Sequence, residues 1–177
     1  TMKKILLKIF VFFILLSGVA TACNFRIANF GDKKEDLNIE SLNYEPLMMP
    51  DRFGGENIMI PLEKICKNDK SFWDTKLIHL YVDNQLVRIQ LYRPLMDDRN
   101  LMDFAMKKYG RFNLPEGLPK KDWRGNYLWV KNTETIEYIA ANIHDGHAEY
   151  LEIVGKLYED KMAIYNEEIG KWLDSRE

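Results

Sequence analysis

The sequence predicts an α+β domain: an antiparallel β-hairpin and a four-stranded meander, with two or three helices packed on one face. Three observations carry this expectation. Two alternating apolar runs, Lys76 to Asp83 and Leu86 to Tyr92, flank a polar Asn84-Gln85 centre. Asp145-Gly146, the strongest short hairpin signal in the chain, stands between two further alternating runs. Between the two groups, Asp97-Asp98-Arg99-Asn100 offers helix caps ahead of Leu101, Phe104, Ala105 and Tyr109, and Gly110 ends that run.

The chain begins differently. Ile9 to Ala20 is an almost unbroken apolar stretch, preceded by Lys3, Lys4 and Lys8 and followed by Ala20-Thr21-Ala22-Cys23. A basic start, a short apolar run and small residues at the end are the three parts of an export signal. The run is shorter than the roughly 20 apolar residues that a membrane-spanning helix needs. The segment Lys3 to Cys23 resembles a bacterial lipoprotein signal. That resemblance implies lipidation of Cys23, which anchors the mature protein to a membrane of the cell envelope, facing the periplasm. Ordinary cleavage after Ala20-Thr21-Ala22 is the alternative and leaves Cys23 as a thiol able to pair with Cys66 in an oxidising compartment. Both fates stand open at this level. The expected organisation is a signal peptide over 1–22, the lipidated cysteine and a flexible tether over 23–36, and one α+β domain over 37–177.

The remaining elements follow in order. Leu37 to Gly55 holds Pro46, Pro50, Gly54 and Gly55 and reads as irregular, with at most one short strand. From Pro61, Leu62, Ile65 and Cys66 share one face if the segment is helical, which makes Cys66 a buried, inert thiol. A turn at Asn84-Gln85 pairs Val82 with Val87, Leu80 with Ile89 and Ile78 with Leu91. A turn at Asp145-Gly146 pairs Ala140 with Leu151 and Tyr138 with Ile153. A loop over Asn132 to Glu134 pairs Val130 with Ile136 and Leu128 with Tyr138. A turn at Glu159-Asp160 pairs Leu157 with Met162 and Gly155 with Ile164. Asn166 then caps a final helix bearing Ile169, Trp172 and Leu173.

Composition narrows the function. Of 177 residues, 46% are hydrophobic and 29% charged, an ordinary globular balance. Without residues 1–22 the remaining 155 carry 22 basic and 27 acidic side chains, a formal charge of −5. An acidic body argues against nucleic acid as partner. The chain has no Gly-x-Ser-x-Gly elbow, phosphate loop, His-Glu-x-x-His or dinucleotide fingerprint, and no catalytic residue is assigned. His144 and His147 lack a third ligand nearby, so neither a metal nor a cofactor is expected.

Two surfaces are candidates for binding. The expected register puts Tyr127, Trp129, Glu137, Ile139, Tyr150, Glu152 and Tyr165 on the outer face of the meander, where a solvated sheet ordinarily turns polar. The connection Gly110 to Arg124 has no periodicity and carries Arg111, Lys120, Lys121 and Arg124, a basic patch suited to an anionic partner. The functional expectation is a non-enzymatic, lipid-anchored envelope protein that binds another protein, such as an inhibitor or immunity-type factor of the periplasm. The alternative is a glycan- or peptidoglycan-binding module that stacks sugar rings on the sheet aromatics.

Overall fold

A computed structural model describes residues 23–42, 44–94, 97–144 and 146–176. The signal expected over 1–22, and Asp145 of the expected turn, lie outside these. Seven antiparallel strands form one sheet: β1 (Leu47–Pro50), β2 (Gly55–Pro61), β3 (Lys76–Val82), β4 (Gln85–Pro94), β5 (Gly125–Val130), β6 (Glu134–Ile143) and β7 (Gly146–Gly155). Their spatial order is β1-β2-β3-β4-β7-β6-β5. The helices are α1 (Asn100–Tyr109) and α2 (Glu159–Asp174). The α+β class stands, and the hairpin and meander are two parts of a larger sheet, joined where β4 pairs with β7.

The hairpin turns one residue earlier than expected. Asp83 and Asn84 both take positive φ, 50° and 61°, and they separate Val82 from Gln85. A two-residue hairpin turn asks for left-handed backbone at both positions, which Asp and Asn tolerate and Gln does not. Val87 is then an extra residue in β4, so that Tyr81 meets Leu86 but Leu80 meets Arg88. Every residue from Leu77 to Val82 is buried, because both faces of this central strand are covered. The two helices therefore lie on opposite faces rather than one. Leu101, Met102 and Ala105 of α1 pack with Leu77, Tyr81, Ile89, Leu91, Leu151 and Ile153. Met162 and Tyr165 of α2 pack with Leu80, Val82 and Val87.

The meander has three strands, not four. Where a strand was expected from Lys161, the chain is already helical. Glu159 and Asp160 sit in the first turn of α2, where carboxylates complement unpaired N–H groups, and Met162, Tyr165 and Ile169 fall on one helical stripe. The β6–β7 pairing differs from expectation by two residues: Tyr138 meets Leu151 and Ile136 meets Ile153. An even shift leaves every side chain on its expected face. The β5–β6 pairing differs by one, with Trp129 opposite Ile136 and Tyr127 opposite Tyr138. An odd shift exchanges the faces of the strand.

The expected tether is structural. Phe25 is fully buried, its ring 5.8 Å from that of Phe104. The N–H of Gly31 donates to Leu86 at 2.8 Å and the N–H of Leu86 donates to Asp32 at 2.9 Å, so the arm hydrogen-bonds to the start of β4. Gly31 has φ 88°, and a Cβ there would meet the Tyr158 hydroxyl at 2.0 Å. Under the same core lies His79, both ring nitrogens buried without a hydrogen-bond partner among the described residues. Burial holds its imidazole neutral, with its pKa lowered to about 4.

Two outcomes follow from this packing. Phe25→Ala is expected to destabilise the domain by about 3–5 kcal/mol in urea unfolding, where a tether residue would cost nothing. For His79, the folded pKa lies below the unfolded value of 6.5, so the unfolded chain takes up the proton first. Stability present above pH 6.5 is lost as pH falls toward 4, by about 3 kcal/mol from this group. Unfolding curves of wild type and His79→Leu across that window should show the pH-dependent difference, and parallel curves would refute it.

Candidate functional site

Among the described residues a large concavity is built where α1 ends. Lys107 and Lys108 occupy its last turn, where ammonium groups complement exposed carbonyls, and Gly110 closes it with φ 124°. The chain then folds back over the inner face of β5 and β6 and is pinned by aromatic side chains. Phe112 stacks on Tyr127 at 4.5 Å with 12° between planes, and Trp123 stacks on Tyr138 at 6.0 Å. The indole N–H of Trp129 donates to the Gly110 carbonyl at 3.0 Å. Arg99, wholly buried, reaches the Lys121 carbonyl at 2.6 Å and ties the far end of the loop to the start of α1.

Between α1 and this loop lies a cleft of about 1030 Å³. Met106, Phe112 and Leu114 contribute apolar surface, and Lys107, Arg111, Lys120 and Asp103 line it with charge. Lys120 donates to both oxygens of Asp103 at 2.6 Å, which neutralises that pair and leaves Lys107 and Arg111 as the cleft's exposed cations. The other two basic residues of the loop serve elsewhere. Arg124 donates to Asn142 at 2.8 Å and to the Lys121 carbonyl at 2.8 Å, and Lys121 is exposed outside the cleft.

The expected outer face is divided by the one-residue shift in β5. Tyr127 and Trp129 turn inward to the loop, with Trp129 at 7% exposure. Leu128 and Val130 take the outer positions instead, at 51% and 62%. Glu137, Ile139, Tyr150 and Glu152 do share the outer face, all half-buried. Tyr150 stacks on Tyr92 at 5.0 Å, Glu137 accepts from Asn126 at 2.5 Å, and Glu152 accepts from Gln90 with Arg88 3.8 Å away. Tyr165 belongs to α2, which covers part of this same face: it is buried in the cluster that includes Val154 and donates to Asp51, and burial and that carboxylate raise its pKa to about 12.

Sequence reasoning missed the buried charges of the core face. The Glu149 carboxylate accepts from the Met102 N–H at 3.0 Å and from the Tyr138 hydroxyl at 2.8 Å, so it caps the first turn of α1 from the sheet. Burial pushes its pKa up, opposed by those hydrogen bonds and by Arg99. Arg93, opposite Glu149 in the ladder, donates to the Ser71 carbonyl and to Asp98, the latter at 2.7 Å. The signal was available: Glu149, Leu151 and Ile153 alternate, as do Ile89, Leu91 and Arg93, so these charges fall at inward positions.

Cys23 and Cys66 form a disulfide, with Cα atoms 5.3 Å apart. His147 and Asp97 are 3.1 Å apart, and Asn142, not His144, is the residue opposite His147. Among the described residues no group of three or more His, Cys, Asp or Glu side chains is placed to hold a metal ion, and no helix is long and apolar enough to cross a membrane.

Compared with family models, with curated proteins and with solved structures, the chain matches none.

Peptide mapping of the purified protein without reductant should recover Cys23 and Cys66 in one linked fragment that separates on reduction. Recovery of a diacylglyceryl-modified Cys23 would instead establish the lipid anchor. With 43 residues of separation, loss of the bond through Cys66→Ala is expected to cost about 4 kcal/mol in unfolding.

Proposed function

We propose that this chain is an exported, non-enzymatic binding protein whose ligand is another protein, held by an acidic segment in the cleft between α1 and the 110–124 loop. The observation that carries this reading is the cleft's contrast with its surroundings. Two exposed cations, Lys107 and Arg111, line the cleft together with the apolar Met106, Phe112 and Leu114, on a domain whose residues 23–177 carry a formal charge of −5. Local positive potential on an acidic body steers an anionic partner and disfavours cationic ones, and a desolvated apolar lining supplies the affinity. The loop is held at both ends, by Phe112 and Trp123, so little ordering entropy opposes docking. An inhibitor or immunity-type factor of the envelope is the functional class that fits an exported domain with such a site.

A saccharide ligand is the second reading, and it rests on a different place from the sheet aromatics. Trp129 is buried and cannot stack on a sugar, but Trp73 is 47% exposed beside Glu63, Lys67 and Asp74. An open indole with carboxylates and an ammonium around it offers stacking and hydrogen bonds together.

The readings separate in one comparison. Immobilised wild-type protein should retain an envelope protein whose binding weakens with salt and falls about tenfold or more in Lys107→Glu/Arg111→Glu, with Trp73→Ala unaffected. Binding on a glycan array that is abolished by Trp73→Ala and indifferent to the charge reversal would favour the saccharide. Equal retention of the same protein by wild type and the charge-reversed variant would remove the cleft from consideration.

A further inference from the structure

The two edges of the sheet are treated unequally. β1 is four residues long, preceded by Pro46 and ended by Pro50, and proline brings no N–H to a ladder. β5 has six residues, Gly125–Val130, with no proline and no charged side chain. It pairs only with β6, and among the described residues no backbone hydrogen bond outside that ladder involves it. Three of its apolar side chains are open as well, Tyr127 at 38%, Leu128 at 51% and Val130 at 62%, while Trp129 is buried. An edge without charge, proline or cover is a template for another strand.

We propose that this edge pairs antiparallel with β5 of a second copy, about a twofold axis at Leu128, so that two seven-stranded sheets become one. The strand is complementary to itself in this register. Residues opposite one another in an antiparallel ladder share a face, and a twofold axis through Leu128 sets Leu128 against Leu128, Asn126 against Val130 and Tyr127 against Trp129. Outer-face positions meet outer-face positions, and inward positions meet inward ones. No like charges come opposite within the strand, although the two domains, each at −5 over residues 23–177, repel at longer range. Self-pairing is thus the contact this surface allows without charge conflict, and it covers Leu128 and Val130, which are exposed among the described residues. A contact limited to one short strand from each copy fits a dissociation constant in the micromolar range rather than an obligate dimer. The inference is independent of the cleft, since Lys107 and Arg111 take no part in it.

Sedimentation equilibrium of the purified protein tests it. The average mass should rise from one chain toward two with concentration, at lower concentration when salt is raised. Leu128→Lys, which sets two ammonium groups against each other on the axis, should weaken association at least tenfold, while Leu47→Lys on the β1 edge leaves it unchanged. Because Leu128 is exposed, both variants should fold, and circular dichroism checks this. Leu128→Cys should give a covalent dimer under mild oxidation, and Val130→Cys, which faces Asn126 in this register, should not. A monomer at all concentrations would overturn the proposal. So would association that survives Leu128→Lys, is lost in Leu47→Lys, or crosslinks through position 130 rather than 128.

Discussion

The pairing of Trp129 with Ile136 is the constraint on which this half of the molecule depends. β5 could have presented Leu128 and Val130 to the core, and a one-residue slip separates the two outcomes. Placing Tyr127 and Trp129 inward buries more apolar area and gives the indole N–H a carbonyl acceptor at Gly110. From that choice follow the stacking of Phe112 on Tyr127, the return of the 110–124 loop across the inner face of β5 and β6, and the cleft that the loop encloses with α1. The exposure of Leu128 and Val130 is the other side of the same choice.

A second arrangement connects sheet and helix. Glu149 occupies an inward position on β7, where its Oε1 accepts from the Tyr138 hydroxyl and a backbone N–H of α1. Arg99, at the residue preceding α1, takes left-handed backbone at φ 55° and reaches into the loop. Buried charges are costly unless they are paired and hydrogen-bonded, so these groups tolerate few alternative placements of α1. They set where α1 begins, and its last turn in turn carries Lys107 to the mouth of the cleft. The disulfide acts similarly at the other end of the core, holding the amino-terminal arm against the segment that follows β2.

How much was legible varies by element, with a physical cause in each case. The span of α1 was legible because Asp98 accepts locally from the Asn100 N–H and Gly110 ends the run, while the cap that Glu149 gives the Met102 N–H comes from the distant sheet. The face of β6 and β7 was legible despite a wrong register, since the error was even and alternation has a period of two. The face of β5 was not, because both of its faces are apolar and only the loop returning from α1 decides between them. The opening turns of α2 also carried alternating apolar residues, Met162 and Ile164. What settles them as helix is a stripe completed by Tyr165 and Ile169 against Leu80 and Val82. The arm over 23–36 lacks periodicity, and its burial comes from single anchors such as Phe25, which no pattern announces.

The sequence by itself determined the α+β class, the antiparallel succession of β3 with β4 and of β5, β6 and β7, α1, and a loop whose basic residues contrast with an acidic body. These rest on local periodicity, turn chemistry and charge. Only the tertiary structure decided that the hairpin and meander share one sheet, that the helices take opposite faces, and that Trp129 is an anchor rather than a surface. Each of those depends on pairing residues far apart in the chain, where two apolar faces are equally acceptable until a distant segment covers one of them.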